Sequence, residues 1–151
     1  MENKDVELMR EAIALAKKAA ELGEVPVGAI VADSKSGEIV ARAHNLRENE
    51  KRATAHAEIL AIEEACAKRG SWRLSGCTLY VTLEPCPMCA GALINSRIDR
   101  VVFGADDALA GCCGSVINFN SYPFNHAFSL SRGVCEDECR EILQAFFKGR
   151  R

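Results

Sequence analysis

Apolar residues recur at Val6, Met9, Ile13, Ala16 and Ala20, a spacing that places them on one helical face. It predicts a helix over residues 4–22, stopped at Gly23. The period then changes. VPVGAIVAD (25–33) and EIVARAHN (38–45) are rich in β-branched residues and flank the turn signal SKSG, which predicts a hairpin. Residues 46–53 are charged and read as loop. Ile59, Ile62 and Cys66 restore helical spacing over 55–69. CTLYVTL (77–83) predicts a strand bounded by Ser75 and Gly76 before it and Pro85 after it. Pro87 suits the first turn of a helix, where its missing N–H costs nothing, and that helix runs through MCAGALINS. RVVFGA (100–105) is a short buried strand, and residues 106–125, punctuated by Gly, Asn and Pro, are mostly loop. HAFSLSRG ends the strand-like segments. Cys135, Cys139, Ile142, Leu143 and Phe146 mark a C-terminal helix, with Glu136, Asp137, Glu138, Arg140 and Glu141 facing outward.

The order is helix, hairpin, helix, strand, helix, strand, helix. Alternation of strand and helix implies right-handed crossovers and a sheet covered on both faces. The expected fold is therefore α/β, a three-layer α/β/α arrangement. With no long linker, repeat or low-complexity run, residues 1–151 are expected to form one domain.

Composition narrows the function. The 151 residues are 48% apolar and 26% charged, with a formal net charge of −2. A general nucleic-acid coating protein is usually strongly basic, so that class is excluded, although a local basic patch is not. No apolar run approaches the roughly 20 residues that span a bilayer. The N-terminal segment reads as an amphipathic helix rather than a signal peptide, so a cytoplasmic protein is expected. Without an export signal, the eight cysteines point to metal binding or buried thiols rather than disulfides.

Two short stretches carry chemistry. TAHAEIL (54–60) contains His56 and Glu58, and LEPCPMC (83–89) contains Cys86 and Cys89. Both fall where a loop or strand runs into a helix. Cysteines at i and i+3 share one helical face, and a helix N-terminus favours the thiolate that a metal needs. Zinc accepts such a mixture of nitrogen and sulfur. His56, Cys86 and Cys89 give three ligands with no obvious fourth, which suits a catalytic zinc with one open position. Glu58 is then placed to move protons beside it. Taken alone, Cys-x-x-Cys also fits a redox pair or buried thiols, and His-x-Glu alone says little. Together they match the H-x-E…P-C-x-x-C signature of zinc-dependent base deaminases.

TAHAEI, TLYVTLEPCPMCAGALINSRI and VVFGADDALAG, with VPVGAIV before them and FNH and the Phe-Phe pair after them, closely resemble the bacterial tRNA-specific adenosine deaminases, within the cytidine deaminase-like superfamily. The resemblance runs from about residue 6 to 148. It implies a five-stranded mixed sheet, a homodimer, one Zn2+ per subunit, and conversion of adenosine to inosine at the wobble position of a tRNA anticodon, with tRNA-Arg the expected substrate. Glu58 is expected to take a proton from the attacking water and deliver it to N1 of adenine, while the water adds at C6 and ammonia leaves. The resemblance further implies that Asn45 and the backbone around Ala57 hold the base, that Val27 lies against it, that Asp107 contacts the sugar or neighbouring backbone, and that Phe147 packs near the substrate. Arg47, Lys51, Arg52, Arg73, Lys148, Arg150 and Arg151 are candidates for phosphate contacts.

Some positions depart from the pattern. Asp106 and Asp107 are adjacent and followed by Leu109, where relatives often carry basic residues. KRA (51–53) lacks a proline common before the Thr-Ala-His stretch, and no long basic tail follows Phe147. Six cysteines, Cys66, Cys77, Cys112, Cys113, Cys135 and Cys139, are expected to be small buried hydrophobes, with a second metal site among the last four as the alternative. His44 and His126 are expected in polar contacts rather than as ligands. The same zinc chemistry would serve a deaminase of free guanine, cytosine or cytidine, and a non-catalytic zinc-stabilised RNA-binding module is the reading from another class.

Overall fold

The computed structural model describes residues 2–149. Its elements in chain order are α1 (Glu2–Glu21), β1 (Gly28–Asp33), β2 (Ile39–His44), α2 (Ala57–Arg69), β3 (Cys77–Leu83), α3 (Pro87–Asn95), β4 (Arg100–Ala105), a short 3-10 turn (Phe119–Ser121), β5 (Ser129–Arg132) and α4 (Glu136–Lys148). The five strands form one sheet in the order β2-β1-β3-β4-β5. β1 runs antiparallel to both β2 and β3, whereas β3–β4 and β4–β5 are parallel. The sheet is mixed, as expected.

Alternation along the strands divides the core into two layers, because successive side chains point to opposite faces. Ala29, Val31, Leu79, Val81, Val101 and Phe103 pack with Ala57, Ala61 and Ile62 of α2 and Leu93 and Ile94 of α3. Ile30, Ala32, Tyr80 and Val102 face the other way, onto Leu8, Met9, Ala12 and Ile13 of α1 and Cys139 of α4. Two glycines set how closely the second layer sits. A Cβ on Gly28 would collide with the α1 backbone at Ala12 and Ala16, and one on Gly104 would strike Cys139. The N-terminus of α1 is tied to the sheet by Asp5, which accepts hydrogen bonds from Tyr80 Oη (2.8 Å) and from Arg100 Nη1 and Nη2 (2.9 and 2.7 Å).

Several boundaries shift for local reasons. β1 begins at Gly28 rather than Val25, since Pro26 has no N–H for a ladder and Val27 N–H folds back onto Val25 C=O at 2.9 Å. Residues 25–27 therefore leave the sheet. α2 begins at Ala57, because His56 N–H bonds Thr54 C=O at 2.8 Å in a tight turn. The final strand is confined to Ser129–Arg132. The long connection before it is ordered by asparagines: Asn120 donates to Phe128 C=O (2.6 Å) and accepts from Phe128 N–H (3.2 Å).

The cysteines outside the signature are free thiols, with Cys77, Cys112, Cys113 and Cys139 buried. Cys113 and Cys139 belong to the layers on opposite faces of the sheet. The alternative of one ion held by Cys112, Cys113, Cys135 and Cys139 is thereby corrected.

Candidate active site

Two helices begin with a candidate ligand. His56 is the N-cap of α2 and Cys86 the N-cap of α3, each extended and neither spending its side chain on capping. A serine or aspartate there would bond the first-turn N–H groups. Here the side chains turn instead toward each other. Pro87 follows at the first helical position of α3, and Cys89 comes one turn later on the same face. α2 and α3 pack side by side against the sheet, so their N-termini converge at the carboxyl end of β3.

The resulting geometry suits zinc. Cys86 Sγ and Cys89 Sγ each lie 3.6 Å from His56 Nδ1. A tetrahedral zinc with Zn–S of about 2.3 Å and Zn–N of about 2.0 Å would separate nitrogen and sulfur ligands by about 3.5 Å, close to the spacing found. Among the described residues, this is the group of His, Cys, Asp or Glu side chains whose ligand atoms gather closely enough for one ion, all within 4.8 Å of one another. Three protein ligands leave a tetrahedral position for a reactant.

The electrostatics agree. A hydrogen bond from Cys89, reinforced by one from His56, holds the Cys86 thiol down to about 4 against the opposing effect of burial. Cys89 is pushed up, first by that same hydrogen bond and then by burial. With one proton between them, Cys86 takes the negative charge and Cys89 keeps the proton. A divalent cation removes this asymmetry, since a coordinating thiol is deprotonated outright. The bond to Cys86 also raises His56. Glu58, in the first turn of α2, is 4% exposed. Burial lifts its carboxyl from 4.5 to about 7, where it can both accept and release a proton near neutrality.

These groups sit in a cavity of ≈ 230 Å³, room for one nucleobase. His56, Glu58 and Cys86 line it, together with Val27, Asn45, Ala57 and Asp107. Four of the five expected substrate contacts are thus brought together with the triad. Phe147 is not among the lining residues: it stands half exposed on the last turn of α4, packed edge-on against Phe146.

Several of these side chains have a structural task as well. Asn45 donates to Val25 C=O (3.3 Å) and accepts from Arg47 N–H (3.0 Å). Asp107 accepts from the N–H groups of Leu109 (3.0 Å) and Ala110 (3.2 Å). Asp106 pairs with Arg132 at 2.9 Å. Asp106, where relatives often carry a basic residue, and its neighbour Asp107 are therefore both engaged within the chain. Of the basic candidates, Arg47 lines the cavity, whereas Arg52 is paired with Glu50 and Glu63. Arg73 stacks on Trp72. Arg150 and Arg151 lie outside the described residues. His44 and His126 contact the C=O groups of Asn45 (3.3 Å) and Ile98 (2.7 Å).

The pattern missed Glu24 and Glu84, both fully buried and both lining the cavity. The available signal was an acid bordering each of two strand-forming segments: Glu24 directly before VPVGAIVAD and Glu84 directly after CTLYVTL.

Comparison with known proteins places this site. The MafB19-like deaminase family matches residues 3–151. The tRNA-specific adenosine deaminase of Bacillus subtilis is 57% identical over 93% of this chain and 86% of its own. The chain belongs to the tRNA-specific adenosine deaminases. The tRNA-specific adenosine deaminase of Haemophilus influenzae is 45% identical over 97% of this chain and 85% of its own. A solved structure from studies of A-to-I editing by tRNA:A34 deaminases superposes with a TM-score of 0.86 at 43% identity, covering 89% of this chain and 97% of that one. The guanine deaminase of Nitrosomonas europaea shares the deaminase fold more distantly, with a TM-score of 0.77 at 25% identity over 91% of this chain and 81% of its own.

Proposed function

We propose that this chain hydrolyses adenosine to inosine at the wobble position of a tRNA anticodon. The observation that carries the reading is the clustered set His56, Cys86 and Cys89 beside a buried Glu58, with His56, Glu58 and Cys86 on the wall of a cavity sized for one base. His56, Cys86 and Cys89 would hold a zinc ion, whose Lewis acidity would make a water reactive near pH 7. Glu58 accepts a proton from the attacking water and delivers it to N1 of adenine as oxygen bonds C6. It then passes a proton to the amino group, and ammonia leaves. Its lifted carboxyl is matched to that exchange. Val27 and the Ala57 backbone frame the base, Asn45 fixes the wall that carries Arg47, and Asp107 stands at the ribose side. An anticodon loop is already single-stranded, so extruding its base costs less than flipping one from a duplex. Phe147, which does not line the cavity, would meet nucleotides beyond the target.

The finer reading includes tRNA-Arg as the substrate, one zinc per subunit, a homodimer and a cytoplasmic location. Exposed Val116, Ile117, Tyr122 and Phe124 supply an apolar face that supports the dimer. No helix among the described residues is long and apolar enough to cross a membrane.

A free-base deaminase is the second reading, favoured by the single-base cavity and the likeness to a guanine deaminase. The test is a tRNA-Arg transcript with A at the first anticodon position, assayed beside adenosine, cytidine and guanine at low and high salt. Inosine confined to the wobble position, with binding that weakens steeply in salt, is the expected result. Turnover of a free base with the tRNA left intact would overturn it.

A further inference from the structure

Glu24 and Glu84 are buried acids at the cavity that the reaction does not use, 0% and 1% exposed. Neither is hydrogen bonded by a basic side chain. Glu24 accepts from Glu48 N–H (3.0 Å), Asn49 N–H (2.7 Å) and the Asn49 amide (2.6 Å). Burial opposes its ionisation, but these bonds outweigh burial and hold its carboxyl below the ordinary value. Glu84 accepts from the N–H groups of Asp107, Cys113 and Ser115, each at 3.0 Å, and from the Ser115 hydroxyl. Gly111 is packed so closely that a Cβ there would collide with the Glu84 carboxylate.

A buried carboxylate is costly unless its lone pairs are filled. Each of these is filled mainly by backbone N–H groups of one loop, with one side chain of the same loop, Asn49 or Ser115, beside them, and each loop enters the cavity. The loop held by Glu24 carries Arg47 and Glu48, and the loop held by Glu84 carries Asp107 and Ala110. The first loop follows β2 and the second follows β4. In the strand order β2-β1-β3-β4 these two strands lie on either side of β1 and β3, and β3 runs into Cys86 and Cys89. The two carboxylates therefore fasten opposite walls of one slot.

We propose that Glu24 and Glu84 are positioning residues that fix the separation of these walls, and so hold the target base over Glu58 and the ligand triad. This rests on the reading of the cavity as the deamination site. Replacing Glu24 by Gln sets an amide N–H against one of the loop's N–H donors. Replacing Glu84 by Gln can keep Cys113 and Ser115 bonded while releasing Asp107. The Gln variants should thus be milder than the Ala variants.

The test compares Glu24→Gln, Glu24→Ala, Glu84→Gln and Glu84→Ala with Asp5→Asn, a destabilised control whose lesion lies on the α1 side of the sheet. Zinc per chain, melting temperature, and kcat and KM on wobble-A tRNA are measured well below the melting point. The expected result is wild-type zinc content with kcat/KM lowered about ten- to a hundred-fold, graded Ala beyond Gln, while Asp5→Asn keeps wild-type kcat and KM per folded chain. Wild-type kcat and KM in folded, zinc-loaded Gln variants would overturn the proposal, whether or not the Ala variants fold. Loss of zinc from them would overturn it too, by assigning the pair to the metal site. If the wild-type chain turns over only a free base, the substrate reading fails, and the same comparison on that base still decides the positioning role.

Discussion

Cys86 Sγ lies 3.6 Å from His56 Nδ1, although thirty positions separate them in sequence. The approach follows from two helices that each spend their N-cap residue on a ligand rather than on a cap. The helix ends point their partial positive charge at the same spot, which favours thiolate there. The metal centre is in this sense a product of helix packing.

Removing a ligand should therefore remove the metal. Cys86→Ala and His56→Ala are expected to purify with much less than one zinc per chain and with no measurable deamination. Added zinc should restore a chelated wild-type protein but not these variants. Metal analysis by mass spectrometry checks this, and full zinc content in either variant would contradict the assignment.

Asp5 gives a pH signature away from the site. Burial alone would raise its carboxyl, but hydrogen bonds from Arg100 and Tyr80 outweigh burial and hold it below 3.8. The same contact and burial push Tyr80 up to about 12. A depressed folded-state value contributes stability above the unfolded value and loses it as pH falls through the folded value. Asp5→Asn should therefore cost about 1–2 kcal/mol at pH 7, and the difference from wild type should vanish in strong acid. Urea melts across pH 2–7 measure it.

Gly28 tests the close seating of α1. Its missing Cβ leaves room for the α1 backbone at Ala12 and Ala16. Gly28→Val should destabilise by about 1–3 kcal/mol as the helix is pushed off β1, seen as a lower melting temperature. An unchanged melting curve would count against that packing.

Asn45 holds Val25 C=O with its amide and Arg47 N–H with its oxygen. Asn45→Asp keeps the acceptor but turns an oxygen toward the carbonyl. KM for tRNA should rise about five- to tenfold with zinc content unchanged, measured by steady-state kinetics.

Much of this was legible in the chain. Short apolar, β-branched runs bounded by turn residues at 25–33, 77–83 and 100–105 give strands, while helical stripes and Pro87 give the four helices, because a strand buried on both faces reads as a continuous apolar run and a helix buried on one face as a periodic one. The cluster of His56, Cys86 and Cys89 was legible as a candidate metal site because metal chemistry restricts residue type. The extra turn at Val25–Val27 was not, since VPVGAIVAD reads as one strand until Pro26 is asked for an N–H it lacks. Glu24 and Glu84 were hidden for another reason: their partners are backbone N–H groups, which leave no side-chain pattern in a sequence. Phe147 was grouped with the substrate by resemblance, but its place on α4 leaves it outside the cavity.

Zinc content and ammonia release measured on the same samples decide whether a three-ligand zinc centre and Glu58 together perform the deamination. Glu58→Gln preserves size and removes the titrating group. The account predicts one zinc per chain in both wild type and variant, with single-turnover inosine formation slowed about 10²- to 10⁴-fold in the variant alone. A zinc-loaded Glu58→Gln protein that deaminates at the wild-type rate would contradict it.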